Sequence, residues 1–358
     1  MKRIIFVFAL AAAAAGFLMP SIGSIDVAAQ RATPTPTATP SPSPSPTPEE
    51  IIKIETELVN VTVRVVDPKT GRPINNLNVG DFTVMEDGVR QKIEFFDKSD
   101  VPTNYGIVVD NSGSMRPLLD KVVEAGKILI NTNRPLDETM IVRFVGRDKI
   151  EIEQPFTPNK TDLLDSMDNL YIEGGQTAII DALYLSVENI DQYNRANKDG
   201  DRKRRALILV SDGEDRNSYY NEKQLFELLR ESEVQIYAIG FVDELSKDGG
   251  FISKSPRDKA KEFLERIASE TGGRAYFPKS GAELPGLARE ISSELRTQYS
   301  IGYIPSNDKQ DGTYRNIKVQ VPEGPGGVKR AVVHRAGRTA DGGPAAATPK
   351  PSPAPTRP

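Results

Sequence analysis

The chain has 358 residues, more than one ordinary core requires, with 46 Lys and Arg against 50 Asp and Glu and a formal net charge of −4. This near balance gives no overall electrostatic case for binding nucleic acid or an anionic membrane. Cysteine is absent and His334 is the only histidine, which excludes a disulfide framework, a thiolate zinc site and a cysteine nucleophile.

The N-terminus is predicted to be a signal peptide that covers residues 1–29. Lys2 and Arg3 supply a positive start, residues 4–19 are apolar and rich in alanine, and Ala29 ends a group of small residues suited to cleavage. An uncleaved membrane anchor is the alternative, but the apolar core is short for a span and its alanine content makes it weakly hydrophobic. We therefore expect an exported protein (periplasmic, cell-surface or secreted) with no transmembrane segment in its mature form.

Two segments of low complexity are predicted to act as spacers. Residues 30–50 contain Thr-Pro and Ser-Pro repeats, which cannot bury a core and favour extended polyproline II. Residues 339–358 form a similar tail rich in proline and alanine, which we expect to be disordered.

Residues 51–100 and 299–338 are predicted to be β. Valines at every second position from Val59 to Val65 give one apolar strand face, and Asp87-Gly88 is a hairpin signal between strands at 82–85 and 93–96. Pieces of about 40 residues without disulfides rarely build a stable core alone. We expect the two pieces to pack together as one small β-sandwich, with the segment between them as an insertion.

The inserted segment, residues 101–298, alternates strands with helices. This alternation predicts an α/β fold with a doubly wound, mostly parallel sheet covered by helices on both faces. A tight turn before the third strand predicts that this strand is an antiparallel edge. The predicted strands are residues 105–110, 140–145, 149–154, 205–211, 235–240 and 274–277, and the predicted helices are residues 117–132, 161–169, 178–193, 222–232, 258–271 and 283–297.

The motif Asp110-Asn111-Ser112-Gly113-Ser114 directly follows the first predicted strand of this insertion. Its carboxylate and two hydroxyl groups at alternate positions can surround a small hard cation, which prefers oxygen ligands. A simpler interpretation is also open, because Asp and Ser are common turn residues and Ser114 could cap the following helix.

Two further loops supply oxygen ligands. Asp212 directly follows the predicted strand 205–211, and Thr177 follows Gly174-Gly175 at the start of a helix. Ligands of such sheets bind beyond the carboxyl ends of the strands, so we expect Asp110 and Asp212 to face each other there, with no obvious Lys or Arg between them. A divalent cation would relieve their repulsion. Thr177 as a helix cap and Asp212 as a turn residue are the alternatives.

The insertion resembles a von Willebrand factor type A domain. Asp110, Ser112, Ser114, Thr177 and Asp212 match that family's metal-ion-dependent adhesion site, without a departure at any of the five positions. The flanking β segments resemble those of exported bacterial proteins of this class. The resemblance implies that Ser112 and Ser114 bind the ion directly, and that the other three ligands bind it directly or through water.

The resemblance also implies an open coordination position for an Asp or Glu of a protein partner. We expect Mg²⁺, which tolerates few protein ligands plus waters, while Ca²⁺ and Mn²⁺ also suit these ligand types. The only histidine, His334, lies in the C-terminal β segment, and no Gly-x-Ser-x-Gly elbow surrounds Ser112, so a serine hydrolase is disfavoured. One histidine cannot supply a zinc-peptidase motif, and the chain has no phosphate-binding loop, so we predict a non-enzymatic binding or adhesion protein. The alternative is an envelope assembly or scaffold protein whose metal is structural.

Two charged segments lie outside the predicted set of metal ligands. The basic run at residues 202–205 is predicted to be a solvated loop edge. Glu214 and Asp215 follow the Asp212 ligand and are interpreted as charges on the rim of the site, which either tune partner choice or are ordinary surface groups.

Overall fold

A computed structural model describes residues 58–98, 101–197, 203–248 and 254–340. The predicted signal peptide at 1–29, the spacer at 30–50 and almost all of the tail at 339–358 therefore lie outside the described residues. Thr339 ends a strand and Ala340 is buried, so the first two residues of that segment belong to the fold. Within the described ranges, no helix is both long and apolar enough to cross a membrane.

The described residues form fourteen strands and six α-helices. In chain order the strands are β1 (Val59–Val66), β2 (Thr83–Glu86), β3 (Val89–Gln91), β4 (Ile93–Asp97), β5 (Thr103–Asp110), β6 (Glu138–Phe144), β7 (Ile150–Thr157), β8 (Arg204–Ser211), β9 (Val234–Gly240), β10 (Arg274–Tyr276), β11 (Tyr299–Tyr303), β12 (Tyr314–Gln320), β13 (Ala331–Val333) and β14 (Gly337–Thr339). The helices are α1 (Leu119–Asn131), α2 (Lys160–Asp168), α3 (Ile179–Ala196), α4 (Glu222–Glu231), α5 (Pro256–Thr271) and α6 (Leu284–Arg296).

The inserted segment builds a six-stranded sheet in the order β10-β9-β8-β5-β6-β7. All neighbouring strands run parallel except β6 and β7, which pair antiparallel at one edge. The chain fills one side of β5 with β6 and β7 and then returns to the other side with β8. This reversal of direction lies between β5 and β8, and the predicted antiparallel edge strand is confirmed.

Helices cover both faces of this sheet because its central strands are apolar on both faces. Along β8, Leu207 and Leu209 pack in the core with α3, α4 and α5. Ile208 and Val210, which alternate with them, pack in a second core with α1, α2 and α6. The predicted doubly wound α/β fold is confirmed.

The flanking segments form two four-stranded antiparallel sheets, in the orders β13-β1-β11-β4 and β14-β12-β2-β3. Each sheet takes strands from both ends of the described chain, so neither flank is complete without the other. Val61 pairs with Ile301 in one sheet and Val84 pairs with Val319 in the other, and all four side chains lie in one shared core. The predicted β-sandwich, with the α/β segment inserted in it, is confirmed.

The hairpin at Asp87-Gly88 differs from the prediction in its second strand. Both residues have positive φ, at 49° and 81°, as a two-residue hairpin turn requires. Their turn joins β2 to β3, whereas β4, the predicted partner, pairs with β11 in the other sheet. The chain changes sheets at Lys92, between β3 and β4, a step that the short apolar pattern did not reveal.

The basic run at residues 202–205 is not wholly a solvated loop edge, and for Arg204 this prediction is wrong. Arg204 is buried, and its guanidinium donates to the carbonyl of Leu295 at 3.0 Å and to that of Gln298 at 2.7 Å. These carbonyls lie where α6 ends and β11 begins, so Arg204 satisfies polar groups that the helix end leaves without partners. It thereby fixes the passage from the insertion back into the sandwich.

His334 supports the sandwich as a neutral imidazole. Its Nε2 accepts from the backbone N–H of Val319 at 3.1 Å, so Nδ1 carries the proton and donates to the carbonyl of Arg335 at 2.7 Å. Burial lowers the pKa of His334, because a charged ring would be desolvated and would face a donor at Nε2.

This arrangement predicts an acid sensitivity. A histidine in the unfolded chain has a pKa of about 6.5. The unfolded state therefore takes up a proton first, and the folded state loses stability as pH falls below that value. We expect the melting temperature to fall less between pH 8 and pH 5.5 in His334→Gln than in the wild type. Equal falls in both proteins would contradict this role.

Candidate metal centre

Two predicted carboxylates meet at the point where strand order reverses. Asp110 is the last residue of β5, and Asp212 directly follows β8. These strands are parallel neighbours, with Val109 opposite Val210, so both carboxylates lie at the same edge of the sheet. Asp110 is fully buried and Asp212 is nearly so. This is the position where open α/β sheets bind ligands.

Ser112 and Ser114 connect the two carboxylates, through hydroxyl groups on the Asp212 side and through the Ser112 backbone N–H on the Asp110 side. The hydroxyl of Ser114 donates to Asp212 Oδ2 at 2.8 Å, and the Oγ atoms of Ser112 and Ser114 lie 3.0 Å apart. Because the Ser114 proton is used toward Asp212, Ser112 is the donor in the second bond. Ser114 therefore faces the Asp212 carboxylate instead of capping α1, whose N-cap is Leu118.

Thr177 lies at the same edge, held by its backbone. Its carbonyl accepts from the N–H groups of Arg216 at 2.8 Å and Asn217 at 3.2 Å, both in the loop that follows Asp212. The Thr177 side chain is buried, and the N-cap of α3 is the next residue, Ala178, so the alternative interpretation of Thr177 as the cap is wrong. The structure thus places Thr177 beside the Asp212 loop.

A reciprocal pair of aspartates holds this arrangement. The carboxylate of Asp215 accepts from the N–H of Ile180 at 3.1 Å and from the Ser218 hydroxyl at 2.6 Å. In return, the Asp181 carboxylate accepts from the backbone N–H groups of residues 219 and 220 at 2.7 and 2.8 Å. Asp215 therefore serves the N-terminus of α3 and is not an ordinary rim charge. Together the two carboxylates fasten the start of α3 to the ligand loop.

Sequence reasoning also missed Ser211. Its hydroxyl donates to Asp110 Oδ2 at 2.6 Å and accepts from the N–H of Gly213 at 3.1 Å. The other Asp110 oxygen, Oδ1, accepts from the N–H of Ser112 at 2.9 Å. Both Asp110 oxygens are therefore oriented by protein donors. The signal was present in the sequence, since Ser211 is a hydroxyl residue at the strand end, but nothing local shows that it faces Asp110.

The centre concentrates negative charge in a buried place. Burial raises the pKa of Asp110 to about 6, and the nearby charge of Asp212 adds to this effect, against hydrogen bonds from Ser211 and Ser112 that lower it. The hydrogen bond to Glu214 and its charge raise the pKa of the Arg216 guanidinium, and the charges of Asp212 and Asp110 add to this effect. Arg216 lies on the half-exposed rim, so the buried oxygens themselves gain no donor from it.

The oxygen spacing fits a small octahedral cation. Mg²⁺ binds oxygen at about 2.1 Å in near-ideal octahedral geometry, so adjacent ligand oxygens lie about 2.9 Å apart. The Ser112–Ser114 and Ser114–Asp212 separations are 3.0 and 2.8 Å. The same separations also suit Ca²⁺ in its common pentagonal-bipyramidal geometry, in which neighbouring oxygens at about 2.4 Å from the ion lie about 2.8 Å apart. Among the described residues, no group of three or more His, Cys, Asp or Glu could hold a metal ion, so a site here needs the hydroxyl groups.

Comparison with known proteins yields relatives of greater length. The chain is 26% identical over 232 residues to inter-alpha-trypsin inhibitor heavy chain H4 of Sus scrofa, which covers 62% of this chain and 23% of the pig protein. It is 25% identical over 199 residues to an uncharacterised protein of Synechocystis, covering 54% of this chain and 42% of that protein. The chain thus matches less than half of the length of these curated relatives.

The chain is also similar to two solved structures. A von Willebrand factor type A structure from Catenulispora acidiphila is 12% identical, with a TM-score of 0.43 over 72% of this chain and 73% of its own. Proximal thread matrix protein 1 from the mussel byssus, solved with zinc in its metal-ion-dependent adhesion site, is 20% identical, with a TM-score of 0.44 over 56% and 49%.

The family model of the von Willebrand factor type A domain matches residues 106–290. This range contains most of β5, all of β6 to β10 and the six helices except the end of α6. It also contains both aspartates at the switch point, where strand order reverses between β5 and β8. The match covers more than half of the chain, and the protein is therefore a member of the von Willebrand factor type A domain family.

Proposed function

We propose that the protein is an exported, non-enzymatic binding module that captures an Asp or Glu of a protein partner through a divalent cation, with Mg²⁺ the preferred ion. The ligands are Asp110, Ser112, Ser114, Thr177 and Asp212. The observation that carries the proposal is the convergence of two buried carboxylates with the hydroxyl oxygens of Ser112 and Ser114 at the switch point, at separations that suit an octahedral ion.

In this proposal the cation, the two serines and Asp110 have different roles. When bound, the cation supplies positive charge and an open coordination position for the partner's carboxylate. Ser112 and Ser114 offer neutral oxygens, which leave more of the ion's charge for the partner than carboxylate ligands would. Asp110, held by Ser211 and by the N–H of Ser112, supplies buried negative charge without freedom to turn away.

The absence of a catalytic role is part of the proposal. The chain has one histidine, His334, and it lies in the sandwich with both ring nitrogens engaged by backbone groups. No imidazole is therefore placed to act as a base at the centre.

Export and domain organisation complete the proposal. We propose a cleaved signal peptide at residues 1–29, a spacer at 30–50, sandwich segments at 51–100 and 299–338, the binding domain at 101–298 and a tail at 339–358. The basic start and apolar run at the N-terminus support export, as does the proline-rich spacer.

A metal-dependent pull-down from the native envelope tests the function. We expect partner recovery in Mg²⁺ and its loss in EDTA. Ser114→Ala, which removes one hydroxyl of the chain that joins the two carboxylates, should lower recovery at least ~10-fold. Ser269→Ala serves as the matched control, because this exposed serine lies on α5 and bonds only within its own helix.

The same experiment separates binding from a structural role of the ion. If Mg²⁺ raises the melting temperature but partner recovery ignores both EDTA and Ser114→Ala, the protein is a scaffold whose sandwich makes the contacts. That result would contradict the proposed function.

A further inference from the structure

We propose that Arg216 is a second anchor for the partner and that the partner presents two acidic residues separated by one residue, the first at the metal ion and the second at Arg216. This inference rests on the proposed function. It adds a specificity-determining residue and a partner chemistry that the five metal ligands do not define.

Arg216 is fixed beside the centre at both its ends. Its backbone N–H donates to the Thr177 carbonyl at 2.8 Å, and its guanidinium pairs with Glu214 Oε2 at 2.5 Å. Glu214 is in turn connected to the centre, because its N–H donates to Asp212 Oδ1 at 3.0 Å. The Arg216 side chain is 51% exposed, so the guanidinium can be reached from solvent while its backbone remains part of the ligand loop.

The positive charge of Arg216 interacts with the acidic groups of the centre. The hydrogen bond that Arg216 donates to Glu214, together with the charges of Glu214, Asp212 and Asp110, raises the pKa of Arg216. A carboxylate that approaches the open coordination position would therefore meet a second positive group on the same rim. Guanidinium groups bind carboxylates through two parallel hydrogen bonds, which adds geometric selectivity that a bare ion lacks.

The chain itself shows the spacing that this rim accepts. In Asp212-Gly213-Glu214, the Asp212 carboxylate accepts from the Ser114 hydroxyl within the centre. The Glu214 carboxylate, two residues later, reaches Arg216. Gly213 has a φ of +84°, and a Cβ there would lie 2.8 Å from the side chain of Leu264, so the glycine allows the close turn between them. The partner's first acid would bind the ion beside Asp212, and a segment of the form acid-x-acid would then bring its second acid to Arg216, in place of Glu214.

Glu214 would then compete with the partner's second acid for Arg216. Its carboxylate is 29% exposed and is held by the ion pair with Arg216, so the partner's second acid must displace it. Removing the Glu214 charge should strengthen partner binding, whereas removing the Arg216 charge should erase the preference for two acids. These opposite signs distinguish a binding role from a merely structural ion pair.

Fluorescence anisotropy with two labelled peptides tests the inference on the full chain in Mg²⁺. One peptide carries Gly-Asp-Gly-Glu-Gly and the other Gly-Asp-Gly-Gln-Gly. We expect the wild type to prefer the two-acid peptide by about tenfold, the size of a charge-assisted pair. Arg216→Gln should bind both equally, and Glu214→Gln should bind the two-acid peptide more tightly than the wild type. Arg90→Gln, an exposed arginine of β3 in the sandwich, is the charge-matched control.

The outcomes separate this inference from the proposed function. Loss of all peptide binding in EDTA, together with an unchanged two-acid preference in Arg216→Gln, overturns the inference and leaves the metal bridge intact. Peptide binding by the wild type that survives EDTA overturns the metal bridge. Failure of the wild type to prefer the two-acid peptide, or to bind either one, also overturns the inference. Mg²⁺ titration by calorimetry should show that Arg216→Gln still binds the ion.

Discussion

Asp110→Asn is expected to weaken Mg²⁺ binding at least ~100-fold while leaving the metal-free protein folded. Residues that only orient a metal ligand cost ~10–100-fold when replaced, so loss of a buried ligand charge costs at least as much. Asparagine keeps the shape of Asp110: its oxygen can accept from the N–H of Ser112, and its NH2 group can donate to the Ser211 hydroxyl oxygen, whose own proton then turns away. Calorimetric titration measures the affinity.

The direction in which Asp110→Asn changes the stability of the metal-free protein follows from the pKa of Asp110. Burial and Asp212 raise the pKa of Asp110 to about 6, so at pH 8 the ionised carboxylate opposes folding. Asp110→Asn removes that charge, and we expect its melting temperature in EDTA to equal or exceed that of the wild type. Added Mg²⁺ should then stabilise only the wild type. Asp165→Asn, an exposed change on α2, is the matched control, and Mg²⁺ stabilisation of Asp110→Asn equal to that of the wild type would refute the ligand set.

Glu294→Ala is expected to reduce the free energy of unfolding by about 3–5 kcal/mol, the usual cost of stranding a buried charge. Glu294 in α6 is 3% exposed and pairs with Arg64 of β1, whose side chain is 4% exposed. It also accepts from Arg274 of β10 at 2.9 Å. Truncation leaves the Arg64 guanidinium buried beside a cavity. Denaturant titration measures the loss.

Two further variants identify the cause of this loss. Glu290, the other acidic partner of Arg274, has a side chain that is 43% exposed. Glu290→Gln should therefore reduce the free energy of unfolding by less than about 1 kcal/mol. Replacing both buried charges, with Arg64→Met and Glu294→Leu together, should recover most of the stability, because well-packed apolar residues often match a buried ion pair. A double variant as unstable as Glu294→Ala would show that packing around α6, and not an unpaired charge, is responsible.

This ion pair has a structural consequence for the two-part fold. Arg64 belongs to the sandwich and Glu294 to the last helix of the insertion, and Arg204 holds the carbonyls that follow. The insertion is therefore fastened to the sandwich by buried polar contacts as well as by the chain. None of these contacts could be predicted from the sequence, since their partners lie far apart along it.

The layers of the fold were predictable because they depend on local periodicity. Alternating valines around Val61 identified β1, and the continuous apolar run at 207–210 identified a strand buried on both faces. The sandwich followed from a size argument, since neither flank could bury enough surface alone. The route of β4 into the opposite sheet was missed, because a strand of five residues does not specify its partner.

The candidate site was likewise predictable only where its residues form local motifs. Asp110, Ser112 and Ser114 form one local motif, and the ends of predicted strands suggested Asp212. The side chains that orient these groups act across the fold, as Ser211 does with Asp110 over 101 positions of chain. Their residue types are common in turns and strand ends, so the sequence gives no reason to select them. Only the strand order brings them to one place.

Diffraction from crystals of the protein grown with Mn²⁺ would locate the bound ion by the anomalous signal of manganese. We expect one strong peak at the switch point between β5 and β8, within ~2.2 Å of the Ser112 and Ser114 hydroxyl oxygens. A well-ordered structure with no anomalous peak among Asp110, Ser112, Ser114, Thr177 and Asp212 would contradict the proposed metal site.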